Sequence, residues 1–377
     1  MGRGVTNVWP EPPRQVADTT EIAAVVEWPF RLTALGLPRR QTLWIRIPGG
    51  IAVSEGAVAD AFLLATTFGA LRRARALHVH GTVTRDLLAG VGRLAALWAS
   101  RDPRAYREVD LRADATTVGT PPGGPPVLCF SGGLDSTYSL ARRARPEAGA
   151  PLGAALMVRG ADIPVTEEAA FATALARARR ITDSRGVPLL EAATNLRAVK
   201  QKWTHSYVPA FAAVMTLLRS RFGLGLLAVG FTHEEARRWW PMDDTDIALV
   251  SSSAFAIEGD GYEANRQEKM AFLRDWPEAR ENLRVCYRRD SWTANCGACL
   301  KCVVARLMAR AALDEVPPSL PDAPPLEDVR AVAAHAEPIG RLRLEQIRRH
   351  ARARGLAEPW LDEIDRVLGA KGPPPRA

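Results

Sequence analysis

Lysine is nearly missing from this chain: of 50 basic residues only five are lysine, at positions 200, 202, 269, 301 and 371. The other 45 are arginines spread along a chain rich in alanine, which reads as a coding bias. A surface built for a polyanion would concentrate its charge on one face or segment, so the net charge of +8 permits a nucleic-acid partner without favouring one. Long apolar runs are also lacking. No window approaches the roughly 18 apolar residues of a spanning helix, and the opening MGRGVTNVWPEPPRQ has no apolar segment of a secretion signal. The expected protein is cytoplasmic, without a membrane partner. Cysteine is scarce and uneven: one stands at Cys129 and four lie between Cys286 and Cys302, which argues against a disulfide framework and for metal ligation in a reducing compartment. No internal repeat is visible.

What is present is a globular composition, 47% hydrophobic over 377 residues, enough for two domains or one with large additions. An oligomer is compatible with it. Residues 1–120 alternate apolar runs such as TLWIRIP and ALHVHG with helical patterns, which predicts a small α+β or α/β unit. It ends at a linker, TPPGGPP. From 127 to 285 apolar strands (VLCF, AALMV, PLLEAA, LLAVGF) alternate with helices, the third of them reading PAFAAVMTLLRSRFG. Strands apolar throughout predict a doubly wound parallel sheet covered on both faces. A cysteine-bearing segment with its following helix is expected over 286–315, and two Arg-rich amphipathic helices over about 326–370.

The stretch VLCFSGGLDST places two glycines, an acid and three hydroxyls directly after a strand. Glycine admits positive φ and close backbone approach, and successive N–H groups at a helix start make an anion nest. Ser131, Gly132, Gly133, Leu134, Asp135, Ser136 and Thr137 are therefore candidate phosphate-binding residues, and an N-capped turn is the plain alternative. The lysine of a Walker loop is missing. Asp135 stands in its region, and a carboxylate there is compatible with phosphate if a divalent cation such as Mg²⁺ lies between them. The near-GxGxxG at Gly223 precedes a strand instead of following one, so it reads as a helix-to-strand turn.

Cys286-x9-Cys296-x2-Cys299-x2-Cys302 can close a tetrahedron of thiolates around Zn²⁺, leaving no open position for water, which points to a structural site. The nested Cys-x2-Cys-x2-Cys also occurs in iron–sulfur ligation, and free thiols with a redox or sulfur-carrying role are a third reading. Cys129, inside an apolar strand, reads as core.

A strand followed by SGG-x-DS resembles the pyrophosphate loop of the PP-loop ATP pyrophosphatase superfamily. With SGG-x-DST early and Cys286-Tyr287, Cys296, Cys299 and Cys302 late, residues from about 127 to 310 are similar to the 7-cyano-7-deazaguanine synthase family. Tyr207-Val208-Pro209 also fits. Two departures stand out: the first 120 residues, and Ala210-Phe211-Ala212 where that family usually carries Gly-Arg-Asn. They resemble the larger relatives with an N-terminal domain, whose substrates include peptides or proteins. The resemblance implies that ATP is split to AMP and pyrophosphate, with its β,γ-phosphates in the Ser131–Ser136 turn, Mg²⁺ beside Asp135 and adenine near Met157. It also implies a substrate carboxylate or amide oxygen, and ammonia or an amine as donor, giving an amide or a nitrile. A tRNA-modifying sulfurtransferase or ligase using the same chemistry, and a non-catalytic nucleotide-binding protein, are the alternatives.

Among the scarce lysines, Lys269 lies where related enzymes place a lysine near the phosphates, and Arg266, three residues earlier, shares its helical face. The expected role of the pair is to neutralise pyrophosphate, against a solvated helix face. Lys301 reads as the exposed edge of the metal knuckle. Asp162, His205, His233, the acids Asp243, Asp244 and Asp246, the tryptophans Trp203, Trp239 and Trp240, and Asn195 with Arg197 are further candidates around a substrate. His233 lacks the second histidine of a HExxH pair.

Overall fold

The computed structural model describes residues 4–29, 38–145, 149–239, 243–288, 292–334 and 338–369. Trp240 and the terminal PPPRA lie outside them, and Trp239 is described in its backbone alone. The N-terminal part contributes strands β1 (Val5–Pro10), β2 (Arg14–Val16), β3 (Thr19–Glu27), β4 (Arg40–Pro48), β5 (Ala76–Thr84) and β6 (Asp110–Thr117), with helices α1 (Glu55–Arg73) and α2 (Arg85–Arg101). After the Pro/Gly stretch come β7 (Pro126–Cys129), α3 (Leu134–Arg143), β8 (Ala154–Arg159), α4 (Glu168–Asp183), β9 (Leu189–Thr194), α5 (Trp203–Thr216) and β10 (Leu224–Ala228). Short helices α6 (His233–Trp239) and α7 (Asp244–Ala248), β11 (Ala256–Asp260), α8 (Arg266–Ala271) and α9 (Pro277–Asn282) follow, then α10 (Leu300–Leu313), α11 (Pro325–Ala334), α12 (Pro338–Ala353) and α13 (Pro359–Gly369).

The fold is α/β, with eleven strands in one mixed sheet of order β11-β10-β7-β8-β9-β4-β3-β1-β5-β6 and β2 added to β3. From β11 to β9 every pairing is parallel. In that half the chain runs outward from β7 through β8 to β9, then returns to the other side of β7 for β10 and β11. Successive strand residues enter opposite cores: Val127, Leu156 and Leu227 pack with α1, α2 and α5, whereas Leu128, Met157 and Leu226 pack with α3, α4 and the C-terminal helices. This alternation explains why the strands are apolar throughout.

The segments before and after the Pro/Gly stretch are continuous through the antiparallel pairing of β4 with β9, Ile45 with Thr194 and Arg46 with Ala193. Asn195 extends that seam, accepting from the Trp44 N–H at 2.8 Å and donating to the Thr42 carbonyl at 3.0 Å. It is the N-cap residue of the short 3-10 turn Leu196–Val199, though its side chain makes no cap bond there, and it does not border the cavity described below. Gly160 beside it is required: its φ is +92°, and a Cβ there would lie 1.8 Å from the Thr194 carbonyl oxygen.

Three elements differ from expectation. Helix α5 begins at Trp203 and carries Pro209 inside it, because burial of Val208, Ala210 and the run from Ala212 outweighs one missing backbone bond. The C-terminal region has three helices where two are expected, since Pro338 and Pro359 each open a new one. AIEGD is a strand whose mixed composition hides it; it pairs with β10 along its whole length. Among the described residues no helix is long and apolar enough to cross a membrane.

Candidate functional site

In an open parallel sheet, loops on either side of the strand where the order reverses diverge and leave a crevice at the carboxyl ends. Here that strand is β7, next to β10, and the turn Ser131-Gly132-Gly133 leaves its end. Gly132 has φ +70°, and Gly133 is the N-cap of α3 in extended conformation. The turn holds itself: the Ser131 N–H donates to Ser136 Oγ at 3.2 Å and the Gly133 N–H to Ser131 Oγ at 3.3 Å. The first-turn N–H groups of α3, which have no partner within the helix, open on the same side.

The turn borders a cavity of about 490 Å³. Ser131, Gly133, Leu134 and Asp135 line it, while Ser136 and Thr137 are buried behind. Met157 and Val158 instead border an adjoining hollow of about 30 Å³ that shares Ser131, Asp162 and Tyr287 with the cavity.

The charged lining is four cations, Arg266, Arg284, Lys301 and Arg343, against two carboxylates, Asp135 and Asp162. Arg266 grips Asp135 with two bonds of 2.7 and 3.2 Å, and Lys269 Nζ lies 3.9 Å from the same carboxylate. Burial pushes the Asp135 pKa up, but Arg266 and Lys269 outweigh it and hold the carboxyl below its ordinary range. Lys269 is fully buried, so it is not on a solvated helix face. Its ammonium also donates to the Val229 carbonyl, and burial lowers its pKa against the pull of Asp135. The spacing of Arg266 and Lys269 on α8 brings both to one acid, as their shared face requires.

Lys301 is exposed yet lines the cavity, so its place is more than the knuckle's edge. Arg343, from α12, has no local motif and is missed by the sequence. It is 3% exposed, donates to the Gly230 carbonyl at 3.0 Å, and lies over the Phe231 ring, with its pKa lowered to about 10 by burial and by Arg266. Tyr262 and Arg284 are likewise lining residues without a local signal.

Several candidates lie elsewhere. His205 is buried against Trp98, 2.9 Å from the Tyr106 hydroxyl, and burial lowers its pKa to about 4. That environment makes it a neutral core histidine. Asp243 caps α7, and Asp246 binds Trp98 Nε1 and Arg101, tying α7 to α2. His233 stacks on Tyr262 and contacts Asp244 at 3.2 Å, one layer behind the lining. Trp203 packs under the Arg197 guanidinium and edge-on to Phe211. Burial raises the Cys129 thiol pKa, in keeping with a core residue.

Cys286, Cys296, Cys299 and Cys302 do converge: their four Sγ atoms lie within 4.8 Å of one another, so they could hold a metal ion. The cluster also braces the glycine turn. Arg284 donates its N–H to the Gly132 carbonyl at 2.8 Å and the Tyr287 hydroxyl donates to the Ser131 carbonyl at 2.5 Å, so residues flanking Cys286 hold the turn. On the other side, Lys301 stands beside Cys302 in the cavity wall.

No family model, curated protein or solved structure matches the chain.

Proposed function

We propose that this protein is an ATP-dependent, AMP-forming enzyme that activates a carboxylate or amide oxygen for carbon–nitrogen bond formation. The observation that carries the reading is the glycine turn at the reversal of strand order, opening on a cavity with more cations than carboxylates. The start of α3 offers backbone donors to phosphate, and Arg266 and Arg343 supply positive charge at the cavity wall where pyrophosphate would leave, with Lys269 buried behind them. The acceptor oxygen attacks the α-phosphorus, the bond to the β-phosphate breaks and pyrophosphate departs. On a carboxylate, an amine nitrogen then attacks the adenylated carbon and loses a proton as AMP leaves with the oxygen, giving an amide; on an amide, the nitrogen loses its protons as AMP leaves with the oxygen, giving a nitrile. The chain's part is to hold charge and align reactants.

Of the two described carboxylates that line the cavity, Asp162 and Asp135, the one expected beside magnesium is already paired with Arg266. Both oxygens of Asp135 are taken by Arg266, so the ion would have to come with the phosphates, as a magnesium that keeps several waters commonly does. Zinc does fit the cysteines. A tetrahedron with bonds of about 2.3 Å has edges of about 3.8 Å, and the observed Sγ separations include 3.4 and 3.9 Å. Thiolates bound to different irons of a cluster would stand farther apart. Zinc would supply rigidity, stapling the segment around Cys286 to the start of α10.

The test is product analysis of labelled ATP incubated with panels of carboxylated deazapurines and of peptides, plus ammonia. AMP and pyrophosphate released together, only with an acceptor, supports the reading; mass spectrometry separates amide from nitrile by the further loss of water. ADP formation, or ATP binding without any turnover across the panels, rejects it.

A further inference from the structure

A second constellation lies on the sheet face opposite α1 and α2. His78 and His80 project from β5 on one side, while Leu77 and Val79 enter the core. The pairing of β5 with β6 is irregular between Val79 and Thr82, so His80 and Gly81 together face the single position of Asp114. A bulge of this kind re-aims side chains, and here both imidazoles reach one carboxylate. His78 Nε2 lies 2.8 Å and His80 Nδ1 3.5 Å from Asp114 Oδ1, and the two rings are 4.1 Å apart.

The orientation of His80 is imposed from its other side. Its Nε2 lies 3.1 Å from Asn7 Oδ1 on β1, and its ring stacks on Trp9 at 4.9 Å with only 3° between planes. A carbonyl oxygen can only accept, so Nε2 carries the proton, and in the tautomer protonated there alone Nδ1 presents a lone pair. That lone pair faces a carboxylate oxygen: two acceptors, with His78 completing the triangle. A cation between them, a metal ion or a proton on Nδ1, satisfies both, and the three donor atoms lie close enough together to share one ion. Metal-bound histidines characteristically donate their second ring N–H to such an oxygen, which fixes tautomer and orientation.

We infer that His78, His80 and Asp114 form a second divalent-metal site, separate from the four cysteines. Bonds of about 2.0–2.1 Å at tetrahedral angles set donors about 3.3 Å apart, and the observed 2.8 and 3.5 Å bracket that spacing. Two imidazoles and one carboxylate select a borderline ion such as Zn²⁺, Co²⁺ or Ni²⁺ over Mg²⁺ or Ca²⁺. Three protein donors leave a coordination position for water or for an anionic group of a ligand arriving at the sheet face. Asn7 is a positioning residue that acts through His80.

The test is metal stoichiometry and calorimetry on the full chain, equilibrated with Zn²⁺ near neutral pH and washed free of excess. The wild type is expected to hold two equivalents, His80→Ala and Asp114→Asn one each, and Cys299→Ser only the equivalent that those two variants lack. Asn7→Ala should weaken the second equivalent by about 10- to 100-fold without removing it. One equivalent in the wild type, retained in His80→Ala, overturns the inference; so do two equivalents in both His80→Ala and Asp114→Asn. If the cysteines bind nothing, the histidine site still shows as a single equivalent lost on His80→Ala, so the two sites fail independently.

Discussion

Asparagine at position 135 keeps the shape of the side chain and removes its charge, which separates two consequences of the arrangement around the turn. The carboxylate is held by Arg266 at 2.7 and 3.2 Å and by Lys269 at 3.9 Å. A unit pair about 4 Å apart is worth about 4 kcal/mol at an effective dielectric of about 20. Desolvation of the acid opposes this, and Arg266 keeps a third of its side chain in water. The net loss of stability in Asp135→Asn is therefore about 1–3 kcal/mol, below the full cost of orphaning a buried charge. The second consequence has the opposite sign: Arg266, released from its acid, can turn to an anion in the cavity, and the charge of the buried Lys269 behind it is no longer offset by the carboxylate. Removing a negative charge about 8 Å from a phosphate is worth roughly 2 kcal/mol at the same dielectric, and screening trims this to about tenfold in affinity.

Thermal or denaturant unfolding reads the first effect, and calorimetry with pyrophosphate in the absence of divalent metal reads the second. Lower stability with tighter pyrophosphate binding is expected, together with loss of AMP release, because a more tightly held leaving group and a disordered Arg266 misalign the reactants. The pH dependence follows from the depressed pKa of Asp135. The pair's stabilisation is complete above the unfolded value near 3.9 and is lost as pH falls through the lower folded value, so wild type and variant converge in acid. An unchanged melting temperature with unchanged or weaker pyrophosphate affinity refutes the account of Asp135 as counter-charge to an anion site.

Three further outcomes are expected. Cys299→Ser should lose the metal of the cysteine cluster and, by loosening the braces on Ser131 and Gly132, weaken nucleotide binding; metal analysis alongside ATP calorimetry checks both, and wild-type protein with no metal at these cysteines rules it out. His205 is held neutral with a pKa near 4, so stability is full above about 6.5 and falls by roughly 2–4 kcal/mol as pH drops from there to 4. Denaturant titrations of the wild type should show that slope, and His205→Gln should flatten it. Gly160→Ala would put a Cβ 1.8 Å from the Thr194 carbonyl oxygen at positive φ, and should cost more than about 2 kcal/mol at the seam of β4 and β9; a melting temperature like the wild type's would show that the seam gives way easily.

Much of the site is legible along the chain because its parts are local. A strand end, two glycines and a helix start make the turn within seven residues, and four cysteines within seventeen need only short turns to meet. The spacing of Arg266 and Lys269 likewise announces a shared helix face. Other lines of reasoning do not carry through. His205 and the acids near 243 look chemical in sequence, but burial against Trp98 and capping of α7 occupy them. Arg343 carries no local mark, since its role comes from α12 bringing its guanidinium over the Phe231 ring at the cavity wall.

The sequence by itself determined the strand–turn–helix unit and the thiolate cluster, because backbone conformation and short ligand spacings depend on neighbours in the chain. Only the tertiary structure decided that β4 pairs with β9 to make one sheet, that Asp135 meets the half-exposed Arg266 and the buried Lys269, and that His78, His80 and Asp114 meet across a bulge. Those pairings join residues as much as about 150 positions apart, and such contacts are selected by which faces bury together and which charges are then left to be matched.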